Sequence, residues 1–234
     1  MRIETLRDAD AVAQAAAAIV AAHARTAVRS GASFVLAVSG GRTPWPMLRA
    51  LAREQVPWQG THVVQVDERV APLQHADRNL TVLRESLLAL VPLRAEQVHA
   101  MPVESTDLDA AAANYGQELS KIAGSPPVLD LVHLGLGSDG HTASLVPRDP
   151  VLDVTDADVA LTGVYQGRRR MTLTYPILNR SRHILWVVTG GEKATMLARL
   201  LAGDPSIPAG RVNPAEALIL ADRAAAGHIG LSPR

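Results

Sequence analysis

The amino-acid sequence predicts an α/β fold: a doubly wound, mostly parallel sheet with Rossmann-like layering. Two observations carry this. Short apolar runs of strand length alternate with longer stretches of helical periodicity along the chain. Apolar runs also empty into glycine-rich turns ahead of helical segments, at Ser39-Gly40-Gly41, Gly135-Leu136-Gly137 and Thr189-Gly190-Gly191. With 234 residues and no internal repeat, low-complexity tract or linker, residues 1–234 are expected to form one domain with a substantial core.

Residues 6–29 read as an opening helix stopped by Gly31. Its apolar stretch, 11–24, is mostly alanine, carries Gln14 and His23, and follows Glu4, Asp8 and Asp10. An amphipathic helix fits this better than a signal peptide or a membrane span. Residues 33–38 form the first buried strand, and helix 47–53 follows its turn, with Thr43 suited to the N-cap and Pro44 to the first helical position. Strand 61–66 ends in Asp67-Glu68-Arg69. A loop at 72–79, a helix at 79–90 and a short strand at 98–101 come next.

Thr106-Asp107-Leu108-Asp109 opens a helix running to about residue 123, which Gly124-Ser125-Pro126-Pro127 breaks. The central strand is 128–134, and a further helix start is expected at Thr142-Ala143-Ser144. Strands 159–164 and 170–174 are joined by a tight Gln166-Gly167 turn, which puts Arg170, Thr172 and Thr174 on one face. A short helical piece at 176–179, a strand at 183–188, a helix at 194–201 and a strand at 217–220 complete the order.

Composition narrows the function. Lys plus Arg and Asp plus Glu are 23 each, so no overall field recruits nucleic acid or an acidic membrane. Aromatic residues are 3%, too few for the stacking platforms of a single-strand binder. Cysteine is absent, which excludes disulfides, thiolate catalysis and Cys-ligated metals. These features fit a cytoplasmic protein acting on a small molecule, and leave its oligomeric state open.

The chemistry concentrates where strands end. Asp139 and His141 follow three glycines beyond the central strand, where ligands of open α/β sheets sit. His is the side chain suited to proton transfer near neutral pH. Ser39-Gly40-Gly41-Arg42-Thr43 runs into a helix start beside an arginine, a ready anion site. Lys193 stands where a second glycine turn meets a helix, and Arg69 and Arg170 add further cations for a phosphate-bearing ligand. Asp67 and Glu68 are site candidates set against a solvated charge run.

Other readings compete. Gly135-Leu136-Gly137-Ser138-Asp139-Gly140 is literally a dinucleotide fingerprint, but Asp139 would face a pyrophosphate and the motif lies mid-chain. Ala37-Val38-Ser39-Gly40-Gly41 lacks the first glycine of a nucleophile elbow, so Ser39 reads better as a phosphate contact than as a covalent serine. A metal held by Asp139, His141 and His133 is disfavoured, because His133 lies inside an apolar strand.

Together, Ser39-Gly40-Gly41-Arg42-Thr43-Pro44, Asp67-Glu68-Arg69, the stretch from Gly135 through Asp139-Gly140-His141-Thr142-Ala143-Ser144, Arg170-Met171-Thr172-Leu173-Thr174 and Gly190-Gly191-Glu192-Lys193 resemble the 6-phosphogluconolactonase family. The resemblance implies the fold shared with glucosamine-6-phosphate deaminases and ribose-5-phosphate isomerases. It implies a cytosolic esterase, without cofactor or metal, that hydrolyses 6-phospho-D-glucono-1,5-lactone. The deaminase branch carries a glutamate five residues past the His, where this chain has Val146, and usually an aromatic residue at Arg69. Arg78 stands where many lactonases have Ser. On this reading His141 is the general base, Asp139 or Asp67 orients it, and Arg69 meets the oxyanion. Arg170, Lys193 and the turn of Ser39, Gly40, Gly41, Arg42 and Thr43 hold phosphate.

Overall fold

The computed structural model describes residues 1–41 and 44–229. The chain runs β1 (Arg2–Leu6), α1 (Ala9–Arg29), β2 (Phe34–Val38), α2 (Pro44–Leu51), β3 (Thr61–Gln65), β4 (Asp67–Arg69), α3 (Asn79–Ser86), β5 (Val98–His99) and α4 (Leu108–Ala123). It continues through β6 (Leu131–Leu134), β7 (Val159–Leu161), β8 (Arg170–Leu173), α5 (Tyr175–Arg180), β9 (His183–Val188), α6 (Ala194–Leu201) and β10 (Ala217–Asp222).

Seven of these strands form one sheet in the order β1-β10-β9-β6-β2-β3-β5, and every pairing in it is parallel. From β2 the chain first moves outward through β3 to β5. It then returns to the other side of β2 at β6 and moves outward again through β9 and β10. The direction reverses between β2 and β6, and that switch point leaves a crevice beyond the carboxyl ends of these two strands. Both glycine-rich turns at 39–41 and 135–141 emerge there.

Side chains alternate across the sheet, as strand geometry demands. On β2, Phe34, Leu36 and Val38 join Val12, Val20, Met47 and Leu83 in a core under α1, α2 and α3. Val35 and Ala37 face the opposite core, with Tyr115 of α4, Leu178 of α5 and Leu197 of α6. Asp8 caps α1 by accepting from Ala11 N at 2.8 Å, and Gly31 leaves the helix at φ +82°. α1 is long and apolar enough by composition to cross a membrane, but it buries Val12, Ala13, Ala16, Ala17, Val20, Ala21 and Ala24 within the fold. Its alanines let the helix lie close to the sheet.

The remaining strands form a smaller antiparallel sheet, β4-β8-β7, which pairs Asp67 with Thr172 and Arg69 with Arg170. β7 and β8 are the expected neighbours, and their turn has Gln166 at φ +50° and Gly167 at φ +80°, the positive pair that a two-residue hairpin demands.

Several expectations shift. The chain's first residues form the edge strand β1, and α1 starts at Ala9. Strands β5 and β6 are shorter than the apolar runs that contain them, and α3 stops at Ser86. No helix begins at Thr142. Thr142 and Leu145 form an isolated bridge around Ala143 at φ +52°, because Thr142 Oγ1 and Ser144 N are claimed by Gly135 O and Thr172 Oγ1. Glu68 is not part of a solvated charge run but is fully buried.

Candidate active site

The glycine turn after β6 folds on itself. Gly137 N donates to His141 O at 2.8 Å, Gly140 N to Gly137 O at 3.0 Å, and Thr142 Oγ1 to Gly135 O at 2.9 Å. Two glycines are required by contact. A methyl on Gly137 would collide with the His141 imidazole and the Asp139 carboxylate. Gly140 combines φ +84° with Ile207 2.7 Å from where a Cβ would stand.

This turn brings Asp139 and His141 together. Asp139 Oδ1 lies 2.5 Å from His141 Nδ1 and also accepts from His141 N at 3.1 Å. The neighbouring imidazole holds the Asp139 carboxyl well below the usual carboxylate range, against the opposing effect of burial. An ionised carboxylate at Nδ1 fixes the imidazole tautomer with its proton there and leaves Nε2 as the basic nitrogen. Tyr165, from the β7–β8 turn, donates its hydroxyl to Asp139 Oδ2 at 2.8 Å.

Asp67 has different partners. It accepts from Ser144 Oγ at 2.6 Å and from Asn79 Nδ2 at 3.2 Å, so it holds the far wall and does not orient the imidazole. Arg170 reaches the same wall. Its Nη1 is 3.4 Å from Ser144 Oγ, its Nη2 donates to Gln166 Oε1 at 3.2 Å, and its guanidinium lies over the Tyr165 ring at 4.9 Å. Burial draws the Arg170 guanidinium below its usual range, while Asp67 pulls it back. Arg69 stands opposite Arg170 in the small sheet and anchors its Nη1 on Asp77 O at 2.8 Å.

His141, Asp67, Arg69, Tyr165, Gln166 and Arg170 line one cleft of about 380 Å³, which also takes in Ser39, Gly40, Gly41, Glu192 and Lys193, while Asp139 and Ser144 bond to this lining without being part of it. Lys193 arrives from the turn that opens α6, where Gly190 N donates to both oxygens of Asp222 at 3.1 Å. Ser39 turns its hydroxyl away from nucleophilic use, donating to His133 O at 2.9 Å. Arg42 and Thr43 lie outside the described residues. The other expected site residues, His141, Asp139, Arg69, Ser39, Gly40, Gly41, Asp67, Arg170 and Lys193, meet around this cleft, directly or across its wall.

Four contributors escaped sequence reasoning. Tyr165 and Gln166 stand out only as a hairpin turn, and Ser144 only as an expected helix start within the family-like stretch, with no role of its own. Asn79 looks like the end of a loop. His133 is fully buried in β6, where its Nδ1 accepts from Ser39 N at 3.3 Å, and burial pushes it down to about 4. It is neutral and props the Ser39 turn, and it does not join Asp139 and His141. Nothing local in the sequence marks these roles; the partners come from other strands.

Behind the cleft, Glu68 accepts from Asn79 N at 2.7 Å and Leu80 N at 2.8 Å, filling the open N-terminus of α3. Arg78, also buried, lies with Nε 3.1 Å from Glu68 Oε2, off the line of its N–H, and donates from Nη1 to Glu104 Oε1 and Ala71 O.

Known proteins share this sequence pattern and this fold. A family model described as glucosamine-6-phosphate isomerases/6-phosphogluconolactonase matches residues 7–220. A 6-phosphogluconolactonase of Nostoc sp. is 34% identical, with 98% of each chain covered. The crystal structure of 6-phosphogluconolactonase from Thermotoga maritima superposes with a TM-score of 0.84 at 26% identity, covering 94% of this chain and 98% of that one. A monomeric glucosamine-6-phosphate deaminase shares the fold at 19% identity, with a TM-score of 0.85 over 97% of this chain and 100% of the other. The chain therefore belongs to the glucosamine-6-phosphate isomerase/6-phosphogluconolactonase family.

Proposed function

We propose that the protein hydrolyses 6-phospho-D-glucono-1,5-lactone to 6-phospho-D-gluconate, as a cytoplasmic carboxylic ester hydrolase of the oxidative pentose phosphate pathway. The observation that carries this reading is His141, paired with Asp139, in the same cleft as Arg69, Arg170 and Lys193. With Nδ1 engaged by Asp139, His141 Nε2 takes a proton from water, and the hydroxide attacks the lactone C1. The charge developing on the carbonyl oxygen meets Arg69 and the backbone N–H groups of the glycine turn. The imidazolium then returns its proton to the ring oxygen as the C1–O bond breaks.

Arg170, Lys193 and the turn at 39–43 hold the phosphate, with the 39–41 part offering backbone more than the Ser39 hydroxyl. The residues engage substrate directly, and the chemistry draws on no cofactor or metal. The names of the closely similar relatives support the lactone as substrate. Val146, five residues past His141, is buried and apolar and supplies no acid for the ring opening that an amino-sugar deaminase needs.

The test is a lactonase assay that subtracts spontaneous ring opening, run beside ammonia release from glucosamine 6-phosphate. Enzymatic acceleration of the first and silence in the second is expected. The reverse pattern would assign the deaminase activity instead.

A further inference from the structure

We propose that Tyr165 is a positioning residue for the proton-transfer pair, locking the Asp139 carboxylate so that His141 is held in one orientation. The inference rests on His141 being the base. Asp139 receives donors on both oxygens: His141 Nδ1–H and His141 N–H on Oδ1, and the Tyr165 hydroxyl on Oδ2 at 2.8 Å. A carboxylate gripped from one side rotates about its Cβ–Cγ bond. Gripped from both sides it does not, and the imidazole it carries is fixed with it. The side chain of Asp139 is 36% exposed, and the phenol is the donor that fixes Oδ2, so without it the carboxylate is free to rotate and the ring loses its single orientation.

The phenol is itself held. Its ring stands edge-on to His141, with centroids 5.6 Å apart, and carries the Arg170 guanidinium on its face. Tyr165 and Arg168 bond to each other across the turn at 2.9 and 3.3 Å. Arg168 then ties the turn to the 72–79 loop, through Nε to Asp77 Oδ2 at 2.7 Å and Nη2 to His75 Nε2 at 3.3 Å. The turn is thus fastened at its far end while its near end steadies Asp139.

The arrangement has a pH signature. Donation by the phenol drains charge from the carboxylate, so removing it makes Asp139 a stronger acceptor and favours the imidazolium. Arg170 and Arg69 on the small sheet, Asp67 behind them, and Glu192 and Lys193 across the cleft also face the pair, and all remain in a Tyr165→Phe variant. That variant also keeps the ring against His141 and Arg170.

Wild type and Tyr165→Phe should be compared in phosphogluconolactone hydrolysis across pH, with thermal melts. Loss of one charge-assisted hydrogen bond predicts kcat lower by about tenfold. KM should stay near the wild-type value, Tm should be unchanged, and the acid limb of kcat/KM should move to higher pH. An active wild type with an equally active Tyr165→Phe, or a rise in KM with kcat intact, overturns the inference alone. An inactive wild type overturns it together with the functional reading.

Discussion

The carboxylates of Glu68 and Asp139 both lie at the carboxyl edge of the large sheet, and their surroundings differ in almost every respect. Glu68 is fully buried and accepts from Arg69 N, Asn79 N, Leu80 N and the Gln65 side-chain amide, with Arg78 beside it. Each donor is fixed in the backbone or the core. Asp139 is about one-third exposed and takes its closest donor from a titratable ring. A carboxylate saturated by permanent donors organises chain around it: here it joins β4 to α3 and places Asp67, Arg69 and Asn79. A carboxylate bonded to one nitrogen of an imidazole leaves the other nitrogen free to move protons. On the proposed function the two clusters divide the labour, one building the wall and the other working within it.

The largest expected effect tests that division. His141→Ala should lower lactone turnover by about 10³-fold, within the usual range for a lost general base, while the thermal melt stays in place. A variant that unfolds, or that keeps its turnover, breaks the contrast. Glu68→Gln should do the opposite. Leaving the buried Arg78 short of an anion costs about 3 kcal/mol, read from urea denaturation, and turnover per folded molecule should fall far less than in His141→Ala.

Acid sharpens the comparison between the two histidines that follow from β6. Buried His133 is pushed down from 6.5 to about 4 in the folded chain. Below pH 6.5 the unfolded chain therefore binds a proton that the folded chain refuses, so stability falls as pH drops toward 4, by roughly 3 kcal/mol for this group. His23 and His62, also lowered by burial, add to the same slope. His133→Gln should flatten the pH dependence of the denaturation midpoint by about one proton's worth. The smallest effect is expected at Lys193, which touches neither cluster. Lys193→Ala should raise KM for the phosphorylated lactone by about tenfold, with little change in kcat, as loss of a uniform binding contact does.

Much of the fold was legible locally. The boundaries of α6 and β9 follow from periodicity and flanking glycines, and the Gln166-Gly167 hairpin from its turn residues. The proximity of Asp139 to His141 also follows, since two residues apart in a glycine turn leaves little room for separation. The edge strand β1 was not legible, because Arg2–Leu6 alternates weakly and is recognisable only once β10 lies beside it. Nor was the bridge at 142–145, where hydrogen bonds donated by Thr142 Oγ1 to Gly135 O and by Ser144 N to Thr172 Oγ1 override a good helix start.

By itself the sequence determined the layered α/β architecture, the crevice-facing turns and the placing of His141 beside Asp139 in one of them, because each depends on neighbours a few positions away. Tertiary structure alone decided that Asp67 turns to Ser144 and Asn79, which cations share the cleft with His141 and which charges are sealed behind it. Tyr165 reaches Asp139 across 26 positions, Ser144 reaches Asp67 across 77, and Ser39 reaches His133 across 94. Strand order sets those meetings, and strand order is the outcome of burying both faces of the sheet at once, a global condition that no local pattern encodes.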